Sequence, residues 1–259
     1  NHIFMVFHFP KFDEKQKRYI SNEFSVILWK DFIITITSHP TTHIERIREE
    51  YIVETQDLED PEKYKISPYY ILYKIIDVMF DKTLRILNKS SKDIVFLEEE
   101  IFSKNWLNKK LLEEMMIRRR NLVFLKHLFI PQEEIIEELQ KTIEKFYNGQ
   151  LDLYFEDLQY KLDKIDNNIS ILTENLNSLS EIYNNLMNIR LNSVIWTLTA
   201  FTLVIWLMTL VWWVYWMNVK LPWWDYEHTF AIIMLSMIII SAWLLLFFKK
   251  RWMHRKWRY

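Results

Sequence analysis

The sequence predicts an α+β domain, a small sheet plus helices, that leads through one very long helix into two membrane-spanning helices. Three observations carry that prediction. No residue is charged from Asn192 through Val219, a run of 28 positions, and about 20 apolar residues already cross the hydrocarbon core as a helix. Thr229–Phe248 is a second uncharged run, 20 residues long. From Asp152 to the first of these runs there is neither proline nor glycine, so nothing stops a helix before it reaches the membrane.

Composition narrows the function. The chain has a single glycine, Gly149, and no cysteine. Gly-rich phosphate loops, disulfides, thiolate zinc sites and cysteine nucleophiles are therefore excluded. The net charge of −1 is unevenly spread: residues 249–259 hold six Lys/Arg and no acid, while residues 1–192 hold 26 bases against 32 acids. An acidic soluble part argues against nucleic acid and for cations as partners. Ten of the twelve tryptophans lie at or beyond Trp196, where they suit the interfacial belts of a lipid bilayer. The seven histidines show no metal-ligand spacing, and no acid dyad or HExxH appears, so no enzyme is predicted.

In chain order, His2–Phe9 alternates as a strand, and Ser25–Ile36 reads as a strand pair turning at Lys30-Asp31, with a charged connection, DEKQKRY, between them. His39-Pro40 ends the sheet. Helices are predicted over 43–52, Tyr69–Asn88, Asp93–Trp106 and Asn108–Phe129, the last stopped by Pro131. Glu133–Phe146 is a further helix, capped at Asn148-Gly149. Leu158, Leu162, Ile165, Ile169, Leu172, Leu176, Leu179, Ile182, Leu186 and Ile189 then recur in steps of three and four, the seam of a long helix packed against partners. A helix of some 60 residues would be about 90 Å long and needs lateral support. The basic tail after Phe248 puts that end in the cytoplasm by the positive-inside rule, and two spans then put residues 1–192 there too. The expected organisation is a cytosolic α/β domain with a helical layer (1–150), a stalk helix (151–192), a first span (193–217), an external loop (218–228), a second span (229–248) and a basic cytoplasmic tail (249–259).

These residues also carry a family pattern. The first span ends in Tyr215-Trp216-Met217-Asn218, followed by Pro222, and Asn192, Leu198-Thr199 and Thr209 precede the turn. Upstream come Ile71–Asp77 (ILYKIID), Leu97–Phe102 (LEEEIF), Arg118–Pro131 (RRRNLVFLKHLFIP) and Tyr154–Asp157 (YFED). In that order they resemble segments of the CorA-type magnesium transporters, a two-span family whose external loop begins Gly-Met-Asn, usually after Tyr. The resemblance covers nearly the whole chain and begins part-way into the cytosolic domain, so the N-terminal part of that domain is expected to lie before Asn1. It implies a homopentameric funnel in the plasma membrane, with the long helix of each subunit lining a pore and the second span forming an outer ring. The implied cargo is a divalent cation, chiefly Mg²⁺, with Co²⁺ or Ni²⁺ also accepted. Two departures stand out: Trp216 replaces the family's glycine, and Leu207 stands where the family often has proline.

The resemblance also assigns roles. Asn218 would form an amide ring around the hydrated ion, where its alternative role is to cap the first span. Asn192, Ile195, Thr199, Thr202, Trp206 and Thr209 are spaced three and four apart, on one helical stripe that ends at Trp213. Asn192 and Thr209 would touch the ion's water shell, and Ile195, Leu198 and Trp206 would be apolar constrictions. The alternative for each threonine is a hydroxyl bonded to its own helix. Asp77 and Asp157 match positions of regulatory Mg²⁺-binding acids between subunits, with Asp81 and Glu156 close by in sequence; Mg²⁺ bound there would hold the funnel closed. Two other functions remain open at this point. One is the same scaffold moving Zn²⁺, Co²⁺ or Ni²⁺; the other is a non-conducting, membrane-tethered sensor or scaffold.

Overall fold

The structure, a computed structural model, describes residues 2–38, 44–49, 67–103, 109–147, 151–217 and 228–256. The cap expected at Asn148-Gly149, Asn218, the loop through Glu227 and the ends of the 43–52 helix lie outside these residues. The chain divides into two compact units, 1–181 and 182–259.

The first unit begins with three antiparallel strands in the order β1-β2-β3: β1 Ile3–Asp13, β2 Arg18–Leu28 and β3 Ile33–Thr37. Alternation sets its two faces. Met5, Phe7 and Phe9 of β1 and Phe24, Val26 and Leu28 of β2 are buried, while Phe4, Ile34 and Ile36 are exposed on the other side. The charged connection is shorter than expected, because both strands extend into it until Asp13 pairs with Arg18. The Asp13 carboxylate accepts from the backbone N–H of Lys15 at 2.9 Å, and Lys17 takes the left-handed backbone that closes the turn.

Two long helices cover the inner face. Helix α1, Pro68–Phe102, starts with a Ser67 cap whose hydroxyl accepts from the Tyr70 N–H at 3.2 Å, with Pro68 in the first turn. Its buried stripe includes Leu72, Ile75, Ile76, Met79, Phe80 and Leu87. The two helices expected over 69–88 and 93–106 are thus one, with no break between Asn88 and Asp93. Phe80 meets Phe9 and Phe129 edge-on, at centroid distances of 6.3 and 6.1 Å.

Helix α2, Lys109–Tyr147, corrects a second expectation, since Pro131 lies inside it rather than at its end. Proline removes one helical hydrogen bond and crowds the carbonyl four residues back. Packing on both sides outweighs that loss: Leu125, Phe129, Gln132, Ile136 and Leu139 are all buried. Gln132 Nε2 also donates to the Leu128 carbonyl at 3.1 Å and to the His8 carbonyl of β1 at 2.6 Å. Further along, Asn121 donates to the Lys17 carbonyl and accepts from the Tyr19 N–H, both at 3.3 Å, and Arg120 donates to the Gln16 carbonyl. The Arg118–Pro131 segment therefore pins the first hairpin to α2.

Helix α3, Asp152–Trp216, is continuous over 65 residues. Leu158, Leu162, Ile165, Ile169, Leu172, Leu176 and Leu179 are buried, as the seam predicts. From Ile182 onward the seam is progressively less covered within one chain: Ile182 and Leu186 are half-buried and Ile189 is exposed. Helix α4, Thr229–Lys256, belongs with the end of α3 to the second unit.

Candidate functional site

In the second unit, α3 is apolar over a length that can cross a membrane, and it is the only helix among the described residues to do so with its full window; 231–244 of α4 forms a shorter apolar helix. Asn192, Ile195, Leu198, Thr199, Thr202, Trp206, Thr209 and Trp213 are all exposed. The covered positions lie elsewhere: Ala200 and Val204 are buried, and Ser193, Leu207 and Val211 are half-buried. At 3.6 residues per turn, the two stripes lie roughly 150° apart around the helix. The side expected to face an ion is thus turned away from the side that packs within the chain.

The threonine hydroxyls have a definite polarity. Thr199, Thr202 and Thr209 each donate to the carbonyl four residues back, at 2.8–2.9 Å. With its proton committed to the helix, each hydroxyl oxygen has only lone pairs to offer. The waters of a hydrated cation present their hydrogens outward, so an acceptor is the complementary group. The two roles weighed for these threonines are therefore compatible.

The expected turn starts late. Tyr215 and Trp216 are still helical, and the Met217 N–H reaches back to the Trp213 carbonyl at 3.2 Å. Trp216 is highly exposed, with its ring 6.2 Å from that of Trp212 one turn below. The helical backbone at Trp216 suits a residue that lacks glycine's left-handed freedom.

In the first unit, Asp77 of α1 and Asp157 of α3 come together, but around a residue the sequence reading did not single out. Lys161 Nζ donates to Asp77 Oδ1 and, at 3.0 Å, to Asp81 Oδ1, and it lies 3.8 Å from Asp157 Oδ2. Glu156 is exposed and outside this cluster. Burial raises the Asp77 pKa, and the negative charges of Asp81 and Asp157 add to it against the opposing pull of Lys161. Burial lowers the pKa of Lys161, but its bonds to Asp77 and Asp81 more than offset this and the net shift is upward. Both directions follow from three carboxylates sharing one ammonium. Tyr73 closes one side, its phenol pushed up to about 12 by burial and by Asp77 and Asp157; its ring lies 4.9 Å from Tyr154.

Mg²⁺ demands near-octahedral oxygen ligands and does not fit among these carboxylates while the ammonium stands there. Among the described residues no group of three or more His, Asp or Glu is arranged to hold a metal ion. A signal for Lys161 does exist in the sequence. Asp77 and Asp81 are four apart on one helix and Asp157 and Lys161 four apart on the other, so each pair shares a face.

A small sheet under long helices, one of which carries an apolar segment long enough to cross a membrane, defines an α+β fold. The sequence profile of the CorA-like Mg²⁺ transporter protein family matches residues 1–250. The chain belongs to that family, whose members are divalent-cation transporters and not enzymes. It is 22% identical over 252 residues to the cobalt/magnesium transport protein CorA of Thermotoga maritima, covering 97% of this chain and 70% of that protein. Its fold matches the CorA magnesium transporter of Methanocaldococcus jannaschii with a TM-score of 0.79, at 19% identity over 96% of this chain and 76% of the other. The full-length CmaX protein matches with a TM-score of 0.71, at 14% identity over 96% and 74%.

Proposed function

We propose that this chain is the subunit of a homopentameric channel that carries Mg²⁺ into the cell across the plasma membrane, with α3 lining the pore. The observation that carries the reading is the stripe from Asn192 to Thr209, which faces away from the covered side of α3 and alternates acceptor oxygens with bulky apolar groups. A hydrated dication is recognised by neutral acceptors that do not bind it too firmly to release, and the apolar rings would close by dewetting. The incompletely covered seam at Ile182, Leu186 and Ile189 supports lateral partners of the same kind. In this reading α4 is the second span and the outer ring, both termini are cytoplasmic, and Asn218 forms the external amide ring. The similarity to a cobalt/magnesium transport protein supports Mg²⁺ as cargo, with Co²⁺ as a further substrate. Regulation by cytosolic Mg²⁺ would act at Asp77 and Asp157, where α1 meets the stalk, and requires Lys161 to give way.

Ion uptake into vesicles containing the purified chain tests the proposal. Mg²⁺ flux is expected from the wild type, with loss of most of that flux in Asn218→Ala while assembly is retained. A folded assembly that passes no divalent ion sinks the channel; flux unchanged by Asn218→Ala sinks the amide ring alone.

A further inference from the structure

Conduction leaves the basic end of α4 without a role. The helix does not stop where its apolar run stops: Thr229–Phe248 is uncharged, and α4 continues to Lys256. At 1.5 Å per residue the apolar run measures about 30 Å, the thickness of a hydrocarbon core. Phe248 then lies at the boundary of that core in the reading of α4 as the second span, on which this inference rests. The next eight residues, KKRWMHRK, reach about 12 Å further along the axis. Five of them are basic, Lys249, Lys250, Arg251, Arg255 and Lys256, and Arg258 follows. No Asp or Glu stands between His228 and Tyr259, so the helix carries no acid of its own to balance them.

The placement of these bases around the helix decides what can meet them. With Lys249 at zero, Lys250 lies at about 100°, Arg251 at about 200°, Arg255 at about 240° and Lys256 at about 340°. No gap between neighbours exceeds about 100°, so the bases form a collar and not a stripe. A protein partner covers one side of a helix and would leave part of the collar unmatched. A layer of headgroups surrounds a helix that passes through it and meets every bearing at once. Trp252 stands within the collar, and tryptophan is enriched at headgroup depth. We infer that residues 249–256 bind acidic phospholipids, whose phosphate headgroups carry net negative charge, in the cytoplasmic leaflet around α4. That attraction falls off within a Debye length of about 8–10 Å. The collar begins at the hydrocarbon boundary, so most of its charges lie inside that range.

The test equilibrates the full chain in neutral detergent micelles that hold equal amounts of phosphatidylglycerol and phosphatidylcholine. The protein is captured and washed, and the two retained lipids are quantified. The wild type should retain at least about tenfold more phosphatidylglycerol, and raising NaCl from about 0.05 to about 0.5 M should collapse that ratio. Replacing Lys249, Lys250, Arg251, Arg255 and Lys256 by Gln should bring the ratio to within about twofold of one. Lys249→Arg, Lys250→Arg and Lys256→Arg together should keep it, because the charge is kept. A wild-type ratio near one overturns the proposal. So does a ratio that survives the five Gln substitutions, which would put the acidic lipid elsewhere on the chain. Should that variant fail to fold, Arg255→Gln with Lys256→Gln alone should lower the ratio at least about twofold, and no change overturns the collar. The leaflet is tested separately. Met253→Cys gives the chain its one thiol, which should react with a membrane-impermeant maleimide only after cells are permeabilised. Reaction in intact cells overturns the cytoplasmic placement, and the reading of α4 with it, whatever the lipid ratio.

Discussion

Tyr19 shows how a single side chain ties the sheet to its helical cover. Its phenol is half-buried beside Ser90, Asp93, Arg118 and Asn121, in a cavity of about 20 Å³, and Arg118 Nη1 is bonded to Asp93 at 2.7 Å. Burial raises the Tyr19 pKa above its usual value of 10.0, Asp93 adds to the rise, and Arg118 and the Ser90 hydroxyl oppose it. A phenol whose folded pKa is raised contributes its stability fully below the unfolded pKa and loses it as pH rises through the folded one. The wild type should therefore lose stability relative to Tyr19→Phe as pH rises above about 10, with a constant difference below that. Denaturant titrations of both proteins across that range check the sign; a difference that is flat throughout would show the phenol to be solvated. At the same scale, Lys161 illustrates why parts of a site hide from a sequence. Asp77 and Lys161 are separated by 84 positions, and no local pattern says that two helical faces so far apart in the chain will meet.

At the scale of elements, periodicity made α1 and the stalk legible. The three-and-four spacing from Leu158 to Leu179 names the residues that are buried, because the apolar face of a helix has to be covered. Pro131 was misleading for the converse reason. A local rule ends the helix there, while Phe129, Gln132 and Ile136 supply packing that no local rule contains. The helix continues with one backbone bond missing, so Pro131→Ala should restore it and raise stability by about 1–3 kcal/mol. Chemical denaturation reads that change; a loss of stability would mean that the fixed backbone of proline, and not the missing hydrogen bond, decides how α2 seats on β1. The strands were legible from alternation, but their lengths were not. The Asp13–Arg18 pairing depends on an Asx turn and a left-handed Lys17, a position where glycine is the usual signal.

For the molecule as a whole, the long apolar run at the end of α3 was the most readable part, since hydrocarbon thickness sets a length that a charge-free run either meets or misses. The direction of the stripe was only half readable. Spacing puts Asn192, Thr199 and Thr209 on one side of a helix, but which side is free became apparent only from the burial of Ala200 and Val204. One consequence follows from α3 running from Asp152 to Trp216 as a single helix with no proline or glycine. In the proposed channel, such a helix would keep phase and tie the azimuth of the Asn192–Thr209 stripe to that of the Leu158–Leu179 seam. One alanine inserted after Asn185 should turn everything downstream by about 100° and abolish Mg²⁺ flux, whereas seven inserted residues return the stripe to within about 20° and should restore part of it. Flux that ignores the number of inserted residues would show that the two halves of the helix are independently oriented. The chain would then conduct through a swivel and not through a torsion shaft.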